Sequence, residues 1–175
     1  MTADLPAGID LSRHRDLEGR GFGQWLKRGF VVLLALFILA GLLNFFGQSS
    51  TTSTARSARA SLTVMAPPRV RGGLVYQATF QIHAISAIGN PVLVLDRGWF
   101  DQTTVNTLEP QPLGETSDAN QVKLRFAPLR AGRTLLVHLD LQANPTNLGS
   151  HATGVALKDG PRRLVSVDRS QFDFP

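Results

Sequence analysis

One stretch constrains this chain more than any other: Gly29 to Phe46, reading GFVVLLALFILAGLLNFF. From Phe30 to Leu43 no polar side chain interrupts it. A bilayer's hydrocarbon core takes about 20 apolar residues of helix, and the workable range begins at roughly 17. The run therefore predicts a transmembrane helix over 29–46, with Asn44, Phe45 and Phe46 at the exit interface. It also divides the chain into a short tail over 1–28, the span, a tether over 47–60 and an outer domain over 61–175.

Arg13, Arg15, Arg20, Lys27 and Arg28 precede the span, whereas the first cations behind it, Arg56 and Arg59, follow a neutral Ser/Thr stretch. Cationic flanks stay on the cytoplasmic side. This predicts a cytoplasmic N-terminus in the inner or plasma membrane and an extracytoplasmic C-terminal domain. Trp25 suits the inner headgroup level, where an amphipathic ring is comfortable. A cleaved signal peptide would carry a shorter apolar core, about 7 to 15 residues, with a small-x-small site close behind. Here the run is longer and ends in Leu42-Leu43-Asn44-Phe45-Phe46, and Ala58-Arg59-Ala60 lies too far downstream. The segment reads as an uncleaved signal-anchor.

The tail reads mostly as unstructured chain. Asp16 to Lys27 can alternatively form a short interfacial helix with Leu17, Trp25 and Leu26 inward, but Gly19, Gly21 and Gly23 weaken it by about 1 kcal/mol each. Residues 47–60, GQSSTTSTARSARA, are small and polar without period, which predicts a flexible tether.

From Ser61 the period becomes two. Ser61 to Ala66 is a short strand stopped by Pro67-Pro68. Leu74 to Ala84 alternates, with Leu74, Tyr76, Ala78, Phe80, Ile82 and Ala84 on the inward face and Gln77, Thr79, Gln81 and His83 outward. Such alternation marks a half-buried antiparallel strand. Val92 to Leu95, Trp99 to Leu108, Gln121 to Phe126 and Thr134 to Gln142 follow, the last with Leu135, Val137, Leu139 and Leu141 inward. Pro110, Pro112 and Gly114 predict an irregular loop over 109–120. Thr153 to Leu157 and Leu164 to Val167 flank Asp159-Gly160 as a closing hairpin. Seven or eight short strands with turn signals every eight to twelve residues predict an all-β fold, an antiparallel sandwich or a small barrel.

The segment Leu129-Arg130-Ala131-Gly132-Arg133-Thr134-Leu135-Leu136-Val137 resembles the late-strand pattern of bacterial immunoglobulin-like domains, in which a small-Gly turn precedes a long alternating strand. The resemblance runs through Asn147-Leu148-Gly149 to the Asp159-Gly160 hairpin. With the anchor, the chain is similar to bacterial single-pass membrane proteins that carry an extracytoplasmic immunoglobulin-like domain. That implies an architecture and no activity. The Cys…Trp…Cys signature of immunoglobulin domains is missing; of its members only Trp99 has a counterpart here.

The chain has no cysteine, which excludes disulfides and thiolate metal sites. Eighteen Lys/Arg include only three lysines, Lys27, Lys123 and Lys158, a composition of high-GC bacterial genomes. His83 and His138 fall on the outward faces of their strands. Placed in opposite sheets, they would exclude a joint metal site, and no metal or cofactor is expected. His138 and Asp140 share a face at a spacing that suits an acid–base pair, but no serine stands in a Gly-x-Ser-x-Gly elbow and no Gly-rich phosphate loop precedes a helix. The expectation is a non-enzymatic protein.

Trp99 and Phe100 are adjacent beside the Asp96-Arg97-Gly98 turn, so a regular strand cannot bury both. One belongs in the core, and the other is a candidate anchor for a partner, because aromatics dominate interface hot spots. Trp99, Phe100 and Arg97 are the candidate partner-binding residues. The outer part carries thirteen Lys/Arg against nine Asp/Glu. Outside the cell that excess suits anionic lipid or an acidic cell-wall polymer rather than nucleic acid. The leading expectation is an interaction module, an accessory subunit of a membrane or cell-envelope complex. The alternatives are a binding domain for cell-wall polymer or anionic lipid, and, third, an enzyme whose site assembles only in three dimensions.

Overall fold

The computed structural model describes residues 21–43 and 48–175. The expected tail up to residue 20 and the expected interfacial residues Asn44, Phe45 and Phe46 lie outside the described residues. Helix α1, Gly21–Leu42, starts eight residues ahead of the expected 29. Gln24, Trp25, Leu26, Lys27 and Arg28 follow the first glycines. Once a helix is nucleated each added residue gains a hydrogen bond, which offsets the cost of about 1 kcal/mol per glycine. Twenty of its residues, Gly23–Leu42, are long and apolar enough to cross a membrane, and none of that stretch is buried. The Arg28 guanidinium stands 5.7 Å from the Trp25 ring centroid, a cation–π pair at the cationic end.

The β domain, Gln48 to Pro175, is a separate compact unit. Its strands are β1 (Thr51–Arg56), β2 (Ala60–Ala66), β3 (Arg69–Arg71), β4 (Val75–Ala84), β5 (Pro91–Asp96), β6 (Thr103–Glu109), β7 (Gly114–Ser117), β8 (Gln121–Arg125), β9 (Thr134–Ala143), β10 (Gly149–Ala152), β11 (Val155–Asp159), β12 (Arg162–Val167) and β13 (Ser170–Phe174). They form a first sheet ordered β1-β2-β4-β9-β6, a second ordered β12-β11-β5-β8-β7, and a small third ordered β10-β13-β3. All pairings are antiparallel except β13 with β3. The expected all-β fold of packed, mostly antiparallel sheets, with one apolar helix N-terminal to it in the chain, stands.

One core joins the sheets. Leu62 and Val64 of β2, Phe80 and Ile82 of β4 and Leu139 and Leu141 of β9 meet Leu93 and Leu95 of β5, Leu124 of β8 and Leu157 of β11. The alternation read in β4 and β9 holds from Tyr76 to Ala84 and from Val137 to Ala143. Leu74 departs from it: β4 begins at Val75, and Leu74 sits 47% exposed in the preceding turn.

Thirteen strands replace the expected seven or eight. The stretch expected as a tether contains β1, paired with β2 over its whole length from Thr51↔Ala66 to Arg56↔Ser61. Its Ser/Thr side chains bury little, so period-two burial gives no signal, and the ladder to β2 supplies the stability. The loop expected over 109–120 contains β7, which starts after both prolines and pairs with β8. Asp118 closes that hairpin by accepting from the Asn120 and Gln121 amides at 3.0 and 2.9 Å. The expected strand from Trp99 starts only at Thr103, because Arg97–Trp99 is a turn of 3₁₀-helix. The β11–β12 hairpin is present but does not close the fold; β13 follows it and runs parallel to β3.

His83 and His138 are corrected as well. They lie on adjacent strands of the same sheet, β4 and β9, and share its outward face, where His83 pairs with Thr134 and Thr79 with His138. The chain crosses between the two sheets repeatedly from β4 to β9, which makes strands distant in sequence neighbours in space, so counting strands misassigned the sheet.

Candidate functional site

The three residues expected to bind a partner sit together and do different things. Trp99 is 1% exposed. Its ring meets Phe80 edge-on, centroids 5.4 Å apart and planes at 73°, and its indole N–H donates to the Gly154 carbonyl at 3.3 Å. The indole is core and is not available to a partner. The turn that puts it there needs glycine at 98, since a Cβ would overlap the backbone of Ala152. Phe100 is half-buried against the same core. Arg97 is the exposed member. It donates from Nε to Asp101 at 2.9 Å and from Nη1 to the Ala119 carbonyl at 3.0 Å, which tethers the 3₁₀ turn to the β7–β8 loop.

The outward face of the first sheet is a lattice of cross-strand polar pairs. Thr54 and Thr63 hydroxyls bond at 3.0 Å, Thr79 and His138 at 3.2 Å, His83 and Thr134 at 3.0 Å, and Gln77 donates to Asp140 at 2.8 Å. Asp140 is thus engaged with Gln77, and His138 with Thr79. Among the described residues no group of three or more His, Asp or Glu is placed to hold a metal ion.

A buried polar cluster lies where the third sheet packs beside β4. Asp173 is 1% exposed and accepts from Asn147 Nδ2 at 2.7 Å and Gln171 Nε2 at 2.8 Å. Gln171 Nε2 also donates to the Tyr76 hydroxyl at 3.2 Å, and His151 Nε2 stands 3.8 Å from Asp173. Burial pushes the Asp173 carboxyl above the usual carboxylate range, against the hydrogen bond from Gln171, the nearby His151 and the bond from Asn147. Burial likewise pushes Tyr76 up to about 12. These groups come from β4, the 144–149 loop, β10 and β13, and the cluster escaped the sequence reading because β10 and β13 did. The inward places of Gln171 and Asp173 beside the outward Phe172 were its one signal.

A groove of about 590 Å³ opens on the outward face of the second sheet, lined by Asn90, Val92, Gly114, Thr116, Arg125 and Lys158 among others. No sequence motif marks it, because its residues come from four strands and two turns.

No protein-family profile and no curated protein sequence matches the chain. Among solved structures, a non-cellulosomal cohesin from the hyperthermophilic archaeon Archaeoglobus fulgidus is similar at 13% identity and a TM-score of 0.40, covering 73% of this chain and 92% of that one. The likeness is loose, and the fold is read from the strands of this chain themselves.

Proposed function

We propose that this chain is a non-enzymatic single-pass membrane protein whose extracytoplasmic β-sandwich is an interaction module, an accessory subunit of a cell-envelope complex. The observation that carries the reading is α1. Its stretch Gly23–Leu42 is wholly unburied, and a soluble chain would not leave 20 apolar helical residues without a covering surface. The cations at its N-terminal end favour a cytoplasmic tail and an outer domain beyond the span. Within the domain, the polar side chains of the first sheet are hydrogen-bonded to one another in cross-strand pairs, which favours presentation of a surface over chemistry. Phe100 and Arg97 at the rim of the 3₁₀ turn remain the proposed partner contacts, with Trp99 holding them from beneath.

Fractionation with in-membrane cross-linking tests this. Full-mass chain should resist extraction by alkaline carbonate and should cross-link in stoichiometric yield to another membrane protein from a probe at Arg97. Chain released to the soluble fraction without its first 50 to 60 residues overturns the anchor. A full-mass, membrane-bound chain that cross-links to nothing overturns the accessory-subunit reading.

A further inference from the structure

The outward face of the second sheet gathers cations in one cross-strand row. Lys158 of β11 pairs with Val92 of β5, and Val92 pairs in turn with Arg125 of β8. On the far side Lys158 is opposite Arg163 of β12, and Arg125 is opposite Gly114 of β7. The row therefore reads Arg163, Lys158, Val92, Arg125, Gly114, with every side chain on the same face. Strands lie about 4.8 Å apart, so three cations span roughly 14 Å.

Three cations of the domain have taken acidic partners, Arg59 with Asp159, Arg97 with Asp101 and Lys123 with Asp118; the rest of its charge is dispersed, and what distinguishes the row is that its three cations share one face and one cross-strand line. Arg125, Lys158 and Arg163 make no ion pair among the described residues. Asp96 and Asp168 line a small hollow with Lys158 and Arg163 without reaching them as ion pairs, and among the described residues Glu115 is the one carboxylate lining the main groove, where it makes no ion pair. Like charges opposite one another across a ladder are destabilising, and Lys158 faces Arg163 just past a register shift between Leu157 and Lys158. A folded surface that keeps this repulsion unrelieved has room for an outside counter-charge.

The shape selects the kind of anion. Lys158, Val92, Arg125 and Gly114 of the row line the groove of about 590 Å³, with Asn90 and Thr116 as neutral polar groups beside them, and Arg163 lines a small neighbouring hollow that Lys158 shares. At Gly114 the absent side chain keeps the groove open beside Arg125; a Cβ there would come within 3.2 Å of its guanidinium. A concave slot several strands wide admits an extended chain, whereas a bilayer surface would meet a convex patch. Arg125 offers a planar fork for a phosphate or carboxylate, and Lys158 a compact charge.

We infer that this groove binds a linear polyanion, a polymer with a phosphate or carboxylate in each repeat, laid across the second sheet along the row Arg163, Lys158 and Arg125. The site goes beyond the anchored-module reading and needs neither α1 nor the 3₁₀ turn.

The test uses the full chain reconstituted in nanodiscs of phosphatidylcholine and titrated with long-chain linear polyphosphate, inorganic phosphate or phosphatidylglycerol vesicles. Polyphosphate should bind saturably, with affinity falling steeply between about 50 and 200 mM salt. The triple variant R125Q/K158Q/R163Q should lose about tenfold or more in affinity and show a shallower salt dependence. G114V should weaken binding with no change of charge, by filling the slot. R130Q/R133Q, which removes two cations from the exposed β8–β9 turn, should stay within about twofold of wild type. Melting of each variant near the wild-type temperature separates lost binding from lost fold. Equal losses in R130Q/R133Q and the groove variants overturn the inference, as non-specific attraction. So does groove-dependent binding of phosphatidylglycerol vesicles in place of polyphosphate, or inorganic phosphate binding as tightly as the polymer.

Discussion

Asp173 shows how one buried side chain can set the pH response of the domain. Its carboxyl is held above the usual range chiefly by burial. The folded state then keeps its proton more tightly than the unfolded chain does. The stability it contributes is fully present below the ordinary carboxylate pKa of about 4, and is lost as pH climbs through the raised value. Asp173→Asn stays neutral throughout. Gln171 Oε1 has no partner in the wild type, so a turned Gln171 amide can accept from the new amide. The variant should therefore lose stability relative to wild type near pH 4 and recover that difference, or exceed it, by pH 8. Urea unfolding followed by Trp99 emission at both pH values reads this out. An equal loss at both would show that the ionised carboxylate is the form the cluster was built for. At the opposite sign stands Asp159, lowered first by the Asn90 amide and then by Arg59. Its contribution is lost on acidification below about pH 4, where that of Asp173 is already fully present, so the two respond with opposite slopes in separate pH windows.

Among elements, the legible ones were those that bury a face. β4 and β9 carry the longest alternating runs, Tyr76 to Ala84 (interrupted at the buried Thr79) and Val137 to Ala143, and both lie inside the first sheet. Residue pattern records burial, and so it found them. β1, β3, β7 and β10 are short, mostly polar, and sit at sheet edges; their stability comes from ladder bonds to a neighbour that the local sequence does not name. The same distinction governs the sites. Trp99 and Phe100 were visible as an irregular aromatic pair, but which one is buried depends on the 3₁₀ turn and on Gly98 touching Ala152. The cationic row was invisible because Arg125, Lys158 and Arg163 meet only through the β12-β11-β5-β8 order. The placement of β1 has a measurable consequence. In an edge strand consecutive residues alternate in bonding toward the neighbour, so of Ser53→Pro and Thr54→Pro one must remove a ladder bond. One variant should cost about 2 to 3 kcal/mol and the other much less. Unfolding midpoints unchanged in both would return this stretch to the role of a tether.

On the scale of the whole molecule, the proposed anchor and its cations would have to satisfy one membrane together. Helix α1 has 22 residues and at 1.5 Å per residue is about 33 Å long, close to the roughly 30 Å of a hydrocarbon core. The uncharged part from Gly29 to Leu42 is only about 21 Å by the same rise, so the first turns must enter the membrane boundary with Lys27 and Arg28 on them. Long cationic side chains can do this by reaching back to the headgroups while their stems stay apolar, and Trp25 beneath Arg28 fits that depth. In the proposed topology the charges would act as a stop that fixes which end stays inside, because carrying them across the core is costly. Replacing Arg20, Lys27 and Arg28 with Gln removes the cations closest to the span and leaves Arg13 and Arg15. A reporter enzyme active only outside the cytoplasm, fused after Pro175, should be active in the wild type and fall several-fold in the triple variant. Arg56→Gln, on the other side of the helix, should leave it unchanged. Full reporter activity in the triple variant would mean that the folded β domain, rather than the flanking charge, decides the orientation. Activity lost in Arg56→Gln would reverse the assigned topology.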